Sequence, residues 1–590
     1  MTTSTQHGRA VVADPVSVAV IRASIESIAR EVFVTFKRTA LLPVIYEVND
    51  FSVSVFDDRL NLIGDAPGLP EFVGSLDEAV RAMVGDFEDD LGPGDCLIVN
   101  DPYLTGAHSA DVALVVPAVG DDGGIVGFVA IRAHVGDLGA KNTYPSDSTN
   151  MYEEGLILPP TRLQRAGVVD RAVHRIIGAN SRLPRETFGN MLAAGRACAD
   201  GAARLSTLVD KYGKATYHAA IDQLLDQTEQ AVREAIEAIP DGDYGHAEYL
   251  DDNGVGCEPV RVEVTVRVRG SEIVIDTTGS APEQAGPINA TLPQTVAACR
   301  LALKRLTTEN TYPTNSGDTR ALTVIAPAGS LYNPNPPAPT YLMGWTVGRL
   351  GDVIVHAMAS ALPDQFPAQN GGDAVAVTGG HTDAATGRVT FFADAAPVGY
   401  GATHDADGED ALLHVHLAGA ELPAAEIWEA RMPIVKRRTA LVTDSGGAGR
   451  FRGGLGTISE WEFLDGAELS LVGDKMSAAE PLGVAGGCAS TVRNRIEIVD
   501  RDGNRRVLPK SGGAPLQEGD RVLVTGGGGG GHGDPLTRDP ERVLADVRSG
   551  AVSAAAAAAV YGVVLTDDGA GLDPDATRAA REAAAEGPRP

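Results

Sequence analysis

The chain has 590 residues, of which 79 are acidic and 49 basic, giving a net charge of −30. That length exceeds what a single hydrophobic core organises, so two or more lobes are expected. The acidic field repels phosphate and argues against nucleic acid or an anionic membrane as partner.

The first 15 residues have no apolar core of a secretory signal and read as a flexible N-terminus. Residues 17–42 form the first predicted helix, where Ile21, Ile25, Ile28, Val32 and Phe36 make one apolar stripe that Pro43 ends. A period-2 strand follows, with Phe51, Val53 and Val55 on one face and Ser52 and Ser54 on the other. Residues 95–100 read as a buried strand. The apolar runs 112–119 and 125–133 flank Gly-Asp-Asp-Gly-Gly, the signal of a hairpin. Helical patterning fills residues 182–239. Strands return after Pro240-Asp241-Gly242, where RVEVTVRVRG and SEIVIDTTG alternate as a second hairpin. A helix is expected over 294–306, a proline-rich stretch over 332–339, and late strands at RIEIVD and RVLVTGG.

Strands and helices come in blocks and not in strict alternation, which predicts an α+β protein, mixed and multi-lobed, with antiparallel hairpins and helical blocks. The expected division is a flexible 1–15, an N-terminal α/β lobe 16–180 carrying the site, a helical segment 181–240, a central mixed lobe 241–440, a Gly-rich β-rich lobe 441–565 and a frayed tail 566–590. Residues 552–565 are too short and too weakly apolar to span a bilayer. Five dispersed cysteines with no Cys-x-x-Cys spacing read as reduced thiols, and a cytoplasmic location is expected.

The densest chemistry lies in NDPYLTGAHSAD (100–111) and IRAHVGDLG (131–139), in a chain with only 12 histidines. Imidazole and carboxylate together suit zinc, manganese or iron, and an incomplete set leaves a position for water or substrate. A turn centred between Asp122 and Gly123 sets Asp111 opposite His134, with Cβ atoms about 4.5–5.5 Å apart. The same register pairs His108 with Asp137. His108 joins Asp111 only if the chain bends at Thr105-Gly106-Ala107, because strand positions three apart face opposite ways. The alternative is a hydrogen-bonded His–Asp pair that merely organises a loop.

Other candidates are weaker. TGGGGGGHGDP (525–535) resembles a phosphate cradle but lacks the Lys-Ser/Thr of a P-loop, so a structural or oligomer-packing loop is expected. DSGGAGRFRGGLG (444–456) reads as tight turns. His414 and His416 alternate on an expected strand, where cross-strand packing is the expected role. Nothing supports covalent catalysis: there is no Gly-x-Ser-x-Gly elbow and no histidine beside a cysteine.

These segments, with NDFSVSVFD, EEGLILPP (153–160), GPINATLP, SLYNPNPPAP and the region from GGGGHGDP to VYGVVL, resemble the hydantoinase B/oxoprolinase family from about Val16 to Leu565. The resemblance implies the B-type subunit of an ATP-dependent cyclic-amide hydrolase. An A-type partner would use ATP to phosphorylate the substrate, and the B-type chain would process it at a divalent metal. His108, Asp111 and His134 match the family's metal ligands. Asp50 and Asp137 match carboxylate positions, Asp50 as a further ligand or base and Asp137 as a supporting partner, and either is expected as the catalytic acceptor of the proton from metal-bound water. Two departures stand out. Thr105-Gly106-Ala107-His108-Ser109-Ala110-Asp111 replaces a Gly-Gly-Thr-His then Leu-Pro-Asp run, and Val135 stands where a second histidine is common. The ligands survive while their neighbours change, which leaves the substrate open. The alternatives are the large subunit of an ATP-dependent ketone carboxylase, or a non-catalytic scaffold for the ATPase partner.

Overall fold

The computed structural model describes residues 13–66, 68–87, 90–142, 144–307, 313–373, 375–387 and 389–586. The stretch expected to be a flexible N-terminus lies almost wholly outside these residues.

The first helix is Pro15–Thr39. Asp14 caps it by accepting from the amides of Val16 and Ser17, and the predicted apolar stripe is its buried face. It ends before residue 42 because Ala40 turns extended and the Asn190 side chain takes the Leu41 amide at 2.7 Å. The strands β1 (Phe51–Asp57), β2 (Leu62–Ala66), β3 (Cys96–Val99), β4 (Asp111–Val119), β5 (Ile125–His134), β6 (Thr161–Arg165) and β7 (Val168–Val169) form one sheet in the order β2-β1-β5-β4-β3-β6-β7. Its neighbours all pair antiparallel.

Both faces of this sheet are covered. Val53, Val55, Val112, Leu114, Val129 and Ile131 pack with residues of the helices Pro15–Thr39 and Pro184–Tyr212. Phe56, Ala113, Val115, Phe128 and Ala130 pack under the helix Pro70–Asp86. Ser52 and Ser54 share this second face. They are fully buried, and Ser52 donates to the Leu69 carbonyl at 2.7 Å. The expected hairpin is β4–β5, with Asp111 opposite His134 and that register kept to Ala118↔Gly127. A bulge at Ala118/Val119 then leads into the turn, where Gly123 takes φ 80°.

In the central region, Gly242–Leu250, Val260–Arg269, Glu272–Asp276 and Leu322–Ile325 form a four-stranded sheet whose last pair is parallel. The helix Leu292–Leu306 joins this region to the first lobe by packing on Pro70–Asp86. A Cβ at Gly74 would lie 2.8 Å from that of Ala297, so glycine permits the close approach. The helix Met343–Ala361 is buried along most of its length.

Two further sheets hold the C-terminal region. One runs Val389–Ala396, Val375–Thr382, Ala467–Val472, Ser511–Leu516; the other runs Ile434–Leu441, Thr457–Phe463, Arg521–Thr525, Arg495–Val499, Arg505–Val507. They share a core around Trp461, with Phe392 edge-on to Trp428, Trp461 and Phe463.

The glycine run is packed solid. A Cβ at Gly528 would lie 1.8 Å from the Ser445 carbonyl oxygen, and one at Gly529 2.0 Å from that of Tyr400. The amides of Gly526, Gly529, Gly530 and Gly531 donate to the carbonyls of Thr457, Gly454, Gln369 and Cys488, and that of Gly527 to Asn494 Oδ1. The structural reading of this loop therefore holds, because these amides are committed to protein acceptors. His532 is structural as well, with Nε2 3.0 Å from the Pro363 carbonyl oxygen.

Two expectations are corrected. His414 and His416 do not lie on a strand: Val415–Leu417 is a single 3-10 turn. The tail is not frayed over Pro574–Glu586, which is a helix docked through Thr577 on Val564 and Arg581 on the carbonyls of Tyr561 and Arg538. Side-chain hydrogen bonds, invisible to hydropathy patterning, hold it.

Candidate metal centre and its cavity

His134 is the last residue of β5 and Asp111 the first of β4, so the hairpin register brings them side by side, with His134 Nδ1 3.1 Å from Asp111 Oδ1. His108 arrives by the bend that the sequence required. The short helix Pro102–Thr105, capped by Asp101, ends at Gly106 with φ 67°. A Cβ at that glycine would lie 2.7 Å from the Gln294 amide nitrogen, so both conformation and space call for glycine. The Asp111 amide then closes a turn on the His108 carbonyl at 2.9 Å. This leaves His108 Nδ1 3.5 Å from Asp111 Oδ2. Ligand atoms of His108, Asp111 and His134 lie within 4.8 Å of one another. It is the one such group of three or more His, Cys, Asp or Glu among the described residues.

The surroundings fix these rings. Tyr341 stacks on His108 with centroids 4.3 Å apart and planes at 8°. Glu154, buried, accepts from the amides of Thr340 (2.9 Å) and Tyr341 (3.0 Å) and from Ser148 Oγ (2.7 Å), which holds Tyr341 in place. Burial pushes the Glu154 carboxyl up to about 7, although these donors oppose the rise. Sequence reasoning assigned no role to Glu154 or Tyr341, yet EEGLILPP contains the former. Arg132, two residues before His134, donates to Ser75 Oγ (2.5 Å) and to the Thr105 carbonyl, binding the helix Pro70–Asp86 to the His108 loop. Burial lowers its pKa to about 10.

Asp50 lines the cavity beside the cluster and Asp137 does not. The Asp50 carbonyl accepts the His134 amide at 3.1 Å, and its side-chain Oδ1 is buried without a hydrogen-bond partner. Burial raises this carboxyl to about 7, with His134 opposing and Asp111 and Glu71 adding to the shift. Asp137 instead accepts from the Arg182 guanidinium and backbone amide and from the Gly139 amide. Both its oxygens are engaged, and it is absent from the cavity lining. This placement supports the loop after His134 and offers no proton acceptor to a substrate.

A cavity of about 140 Å³ opens beside the cluster, lined by Asp50, His108 and Asp111 together with residues distant in sequence. Leu69, Glu71 and Phe72 come from the start of the helix Pro70–Asp86. Met343, Gly344 and Trp345 come from the helix Met343–Ala361, and Asp373, His416 and Leu417 from two further loops. His416 Nε2 is 2.9 Å from Asp373 Oδ2, and its Nδ1 is 3.8 Å from Glu71 Oε2. Its ring rests against the helix at Gly348, where a Cβ would lie 2.8 Å from Cε1. Burial opposes its charge, but Asp373 and Glu71 overcome that and hold it up at about 9. Burial raises Glu71 to about 7 against the opposing charge of His416.

His108 shows the reverse. Burial lowers its pKa to about 4 despite Asp111, so its ring is neutral with Nδ1 unpartnered. For His134, burial is outweighed by Asp111 and Asp50, and the pKa rises.

Fold and site together define a large α+β protein with a His-Asp-His cluster at a hairpin end, and the comparisons give that class a family. The chain belongs to the hydantoinase B/oxoprolinase family, whose model matches residues 14–535. It is 31% identical over 573 residues to the B-type subunit of a putative D-/L-hydantoinase of Pseudomonas sp. (strain NS671), covering 94% of this chain and 96% of that one. It is also 31% identical over 583 residues to the beta subunit of the caprolactamase of Pseudomonas jessenii, covering 97% and 99%. The crystal structure of the ATP-dependent caprolactamase from Pseudomonas jessenii superposes with a TM-score of 0.88 at 29% identity, over 97% of this chain and 100% of that chain.

Proposed function

We propose that this chain is the metal-dependent catalytic subunit of an ATP-dependent cyclic-amide hydrolase, acting on a substrate that an A-type ATPase partner has phosphorylated. One observation carries the reading. His108 and Asp111 of the His108–Asp111–His134 cluster line one cavity together with Asp50, whose Oδ1 has no hydrogen-bond partner. The residues fit a divalent ion: two imidazoles and a carboxylate are ligands that zinc, manganese or iron accept. His108 Nδ1 and Asp50 Oδ1 are buried atoms that lack a protein partner. His108, Asp111 and His134 would hold the ion, with Asp50 adjoining. Bound there, it would supply Lewis acidity toward a carbonyl or phosphoryl oxygen.

The protein groups have separate tasks. Asp50 Oδ1 would take a proton from the water that attacks the activated amide carbon, and the carbon–nitrogen bond then breaks with a proton passing to the ring nitrogen. Tyr341 and Glu154 fix the His108 ring, while Leu69, Phe72 and Tyr144 keep bulk water from the reacting atoms. An amide carbonyl resists water because resonance feeds it electrons, which is why activation by ATP is needed. That step is assigned to the partner, since the glycine run commits its amides to the chain's own carbonyls. Both relatives are named as one component of a larger enzyme, which supports a heteromeric complex here. Among the described residues no helix is long and apolar enough to cross a membrane.

The test is to purify the chain with its ATPase partner, measure its metal, and assay ATP hydrolysis against hydantoins, 5-oxoproline, simple lactams, and ketones with bicarbonate. Metal-dependent, ATP-coupled opening of a cyclic amide by the complex, but not by the chain alone, is expected. Turnover only of ketone with bicarbonate would replace hydrolysis by carboxylation, and full activity without metal would leave the scaffold reading.

A further inference from the structure

The cavity has more unsatisfied polar atoms than the proposed metal centre uses. Of the buried side-chain atoms with no hydrogen-bond partner, four belong to residues that line it: Asp50 Oδ1, His108 Nδ1, Trp345 Nε1 and His416 Nδ1. The first two belong to the proposed centre. The other two come from the helix Met343–Ala361 and the turn at 414–417, and neither residue has a place in the reaction so far. An indole N–H left unpaired in a protein interior costs stability and is normally satisfied. Its side chain is seated against Tyr144, 6.5 Å between ring centroids, and Tyr144 in turn meets Tyr341 edge-on at 4.7 Å. One aromatic series thus runs from the His108 ring to Trp345.

We infer that Trp345 Nε1, with His416 Nδ1 as a second donor, receives a neutral carbonyl oxygen of the substrate other than the activated one, and so orients a small ring against the His108–Asp111–His134 cluster. The inference rests on the functional reading above for the reaction, and on the cavity alone for the binding. Size supports it, because a cavity of about 150 Å³ is known to hold benzene and this one is about 140 Å³. A single five- or six-membered ring fits. Charge supports it too. Asp50, Glu71, Asp111 and Asp373 bring four carboxyl groups to the lining against the single cationic His416, which Asp373 and Glu71 already face, so a neutral oxygen is favoured over an anionic one at the Trp345 end. The same oxygen-accepting chemistry is offered by phosphate, which the test separates.

The experiment uses the full chain loaded with its metal, and titrates 2-pyrrolidone, pyrrole and inorganic phosphate by calorimetry into wild type and Trp345→Phe. Pyrrole has the ring size without an acceptor oxygen. Wild type should bind 2-pyrrolidone more tightly than pyrrole. Trp345→Phe should weaken 2-pyrrolidone by about fivefold to tenfold, the size of one neutral hydrogen bond, and leave pyrrole within about twofold. Metal content and the circular dichroism spectrum should be unchanged. His416→Gln, which keeps a donor, should bind 2-pyrrolidone more tightly than His416→Phe. Equal losses for 2-pyrrolidone and pyrrole would show that the indole only packs, and would overturn the inference. So would weakening of phosphate alone, or no binding of 2-pyrrolidone to wild type. Loss of metal in a His108 or Asp111 variant bears on the reaction and not on this donor pair, so the two claims fail separately.

Discussion

Two histidine pairs meet near one cavity, and one member of each, His108 and His416, is the electrostatic opposite of the other. His108 and His134 share a single carboxylate, Asp111, and His108 keeps a bare nitrogen. His414 meets Asp352 at 3.0 Å, a carboxylate that Arg305 and Asn370 also donate to, and His416 meets Asp373 at 2.9 Å with Glu71 at 3.8 Å from the same ring. His108 and His416 are comparably buried, yet burial takes His108 down to about 4, while His416 is held at about 9. Burial therefore does not decide the charge of a histidine here; the number of carboxylates facing it does. A single carboxylate shared with His134 leaves the His108 imidazole neutral and free to ligate, whereas Asp373 and Glu71 together make His416 a cation.

The largest effect should come from exchanging the pairs' roles. His134→Ala should lose stoichiometric metal and reduce turnover by more than ~100-fold, beyond the range typical of residues that only support a ligand. His416→Gln should retain the metal. Elemental analysis of both variants checks this, and a His134→Ala chain with full metal and turnover would return the cluster to a plain His–Asp pair.

Removing the brace under His108 comes next. Glu154→Ala strands the amides of Thr340 and Tyr341 and should cost roughly 1–3 kcal/mol for each buried donor left unpaired. Tyr341 should loosen and turnover fall about tenfold with metal largely kept, in line with supporting-residue effects. Urea unfolding and steady-state rates measure the two together.

A pH series in chelator should then separate the pairs by sign. His108 has a folded pKa below its ordinary 6.5, so its contribution is present above 6.5 and lost as pH falls toward about 4. His416 has a raised folded pKa, so its contribution is present below 6.5 and lost as pH rises through about 9. His108→Gln should flatten the acid limb of the thermal midpoint and His416→Gln the alkaline limb. The same limb flattened by both would erase the contrast.

The smallest change is expected at Asp137. Asp137→Asn turns an NH2 group against one of the N–H donors that now meet the carboxylate, and should cost roughly 1–3 kcal/mol for that single donor. Metal should stay, and activity should drop by no more than ~10-fold. Loss of metal in this variant would bring Asp137 into the ligand set.

Legibility in the sequence follows the range of the interaction. The β4–β5 register was readable because a turn of fixed length between two apolar runs leaves one natural pairing. Once that pairing is set, Asp111 must face His134. The bend at Gly106 was readable as a requirement, since His108 has no other route to Asp111. Ser52 and Ser54 show the limit. Their alternation with Phe51, Val53 and Val55 separated the faces but did not reveal that a helix buries the serine side too.

The His414–His416 spacing misled because an i, i+2 pair fits a strand and a 3-10 turn alike, and only packing against Gly348 and Asp373 selects the turn. By itself, then, the sequence determined the local geometry that gathers His108, Asp111 and His134, through hairpin register, turn length and one left-handed glycine. The tertiary structure decided everything that encloses them. Glu71, Tyr341, Trp345, Asp373 and His416 reach the cavity from segments more than 300 residues apart at the extremes. The raised pKa values of Glu71 and His416, and the unsatisfied atoms of Trp345 and His416, come from burial among segments distant in sequence, which no local pattern encodes.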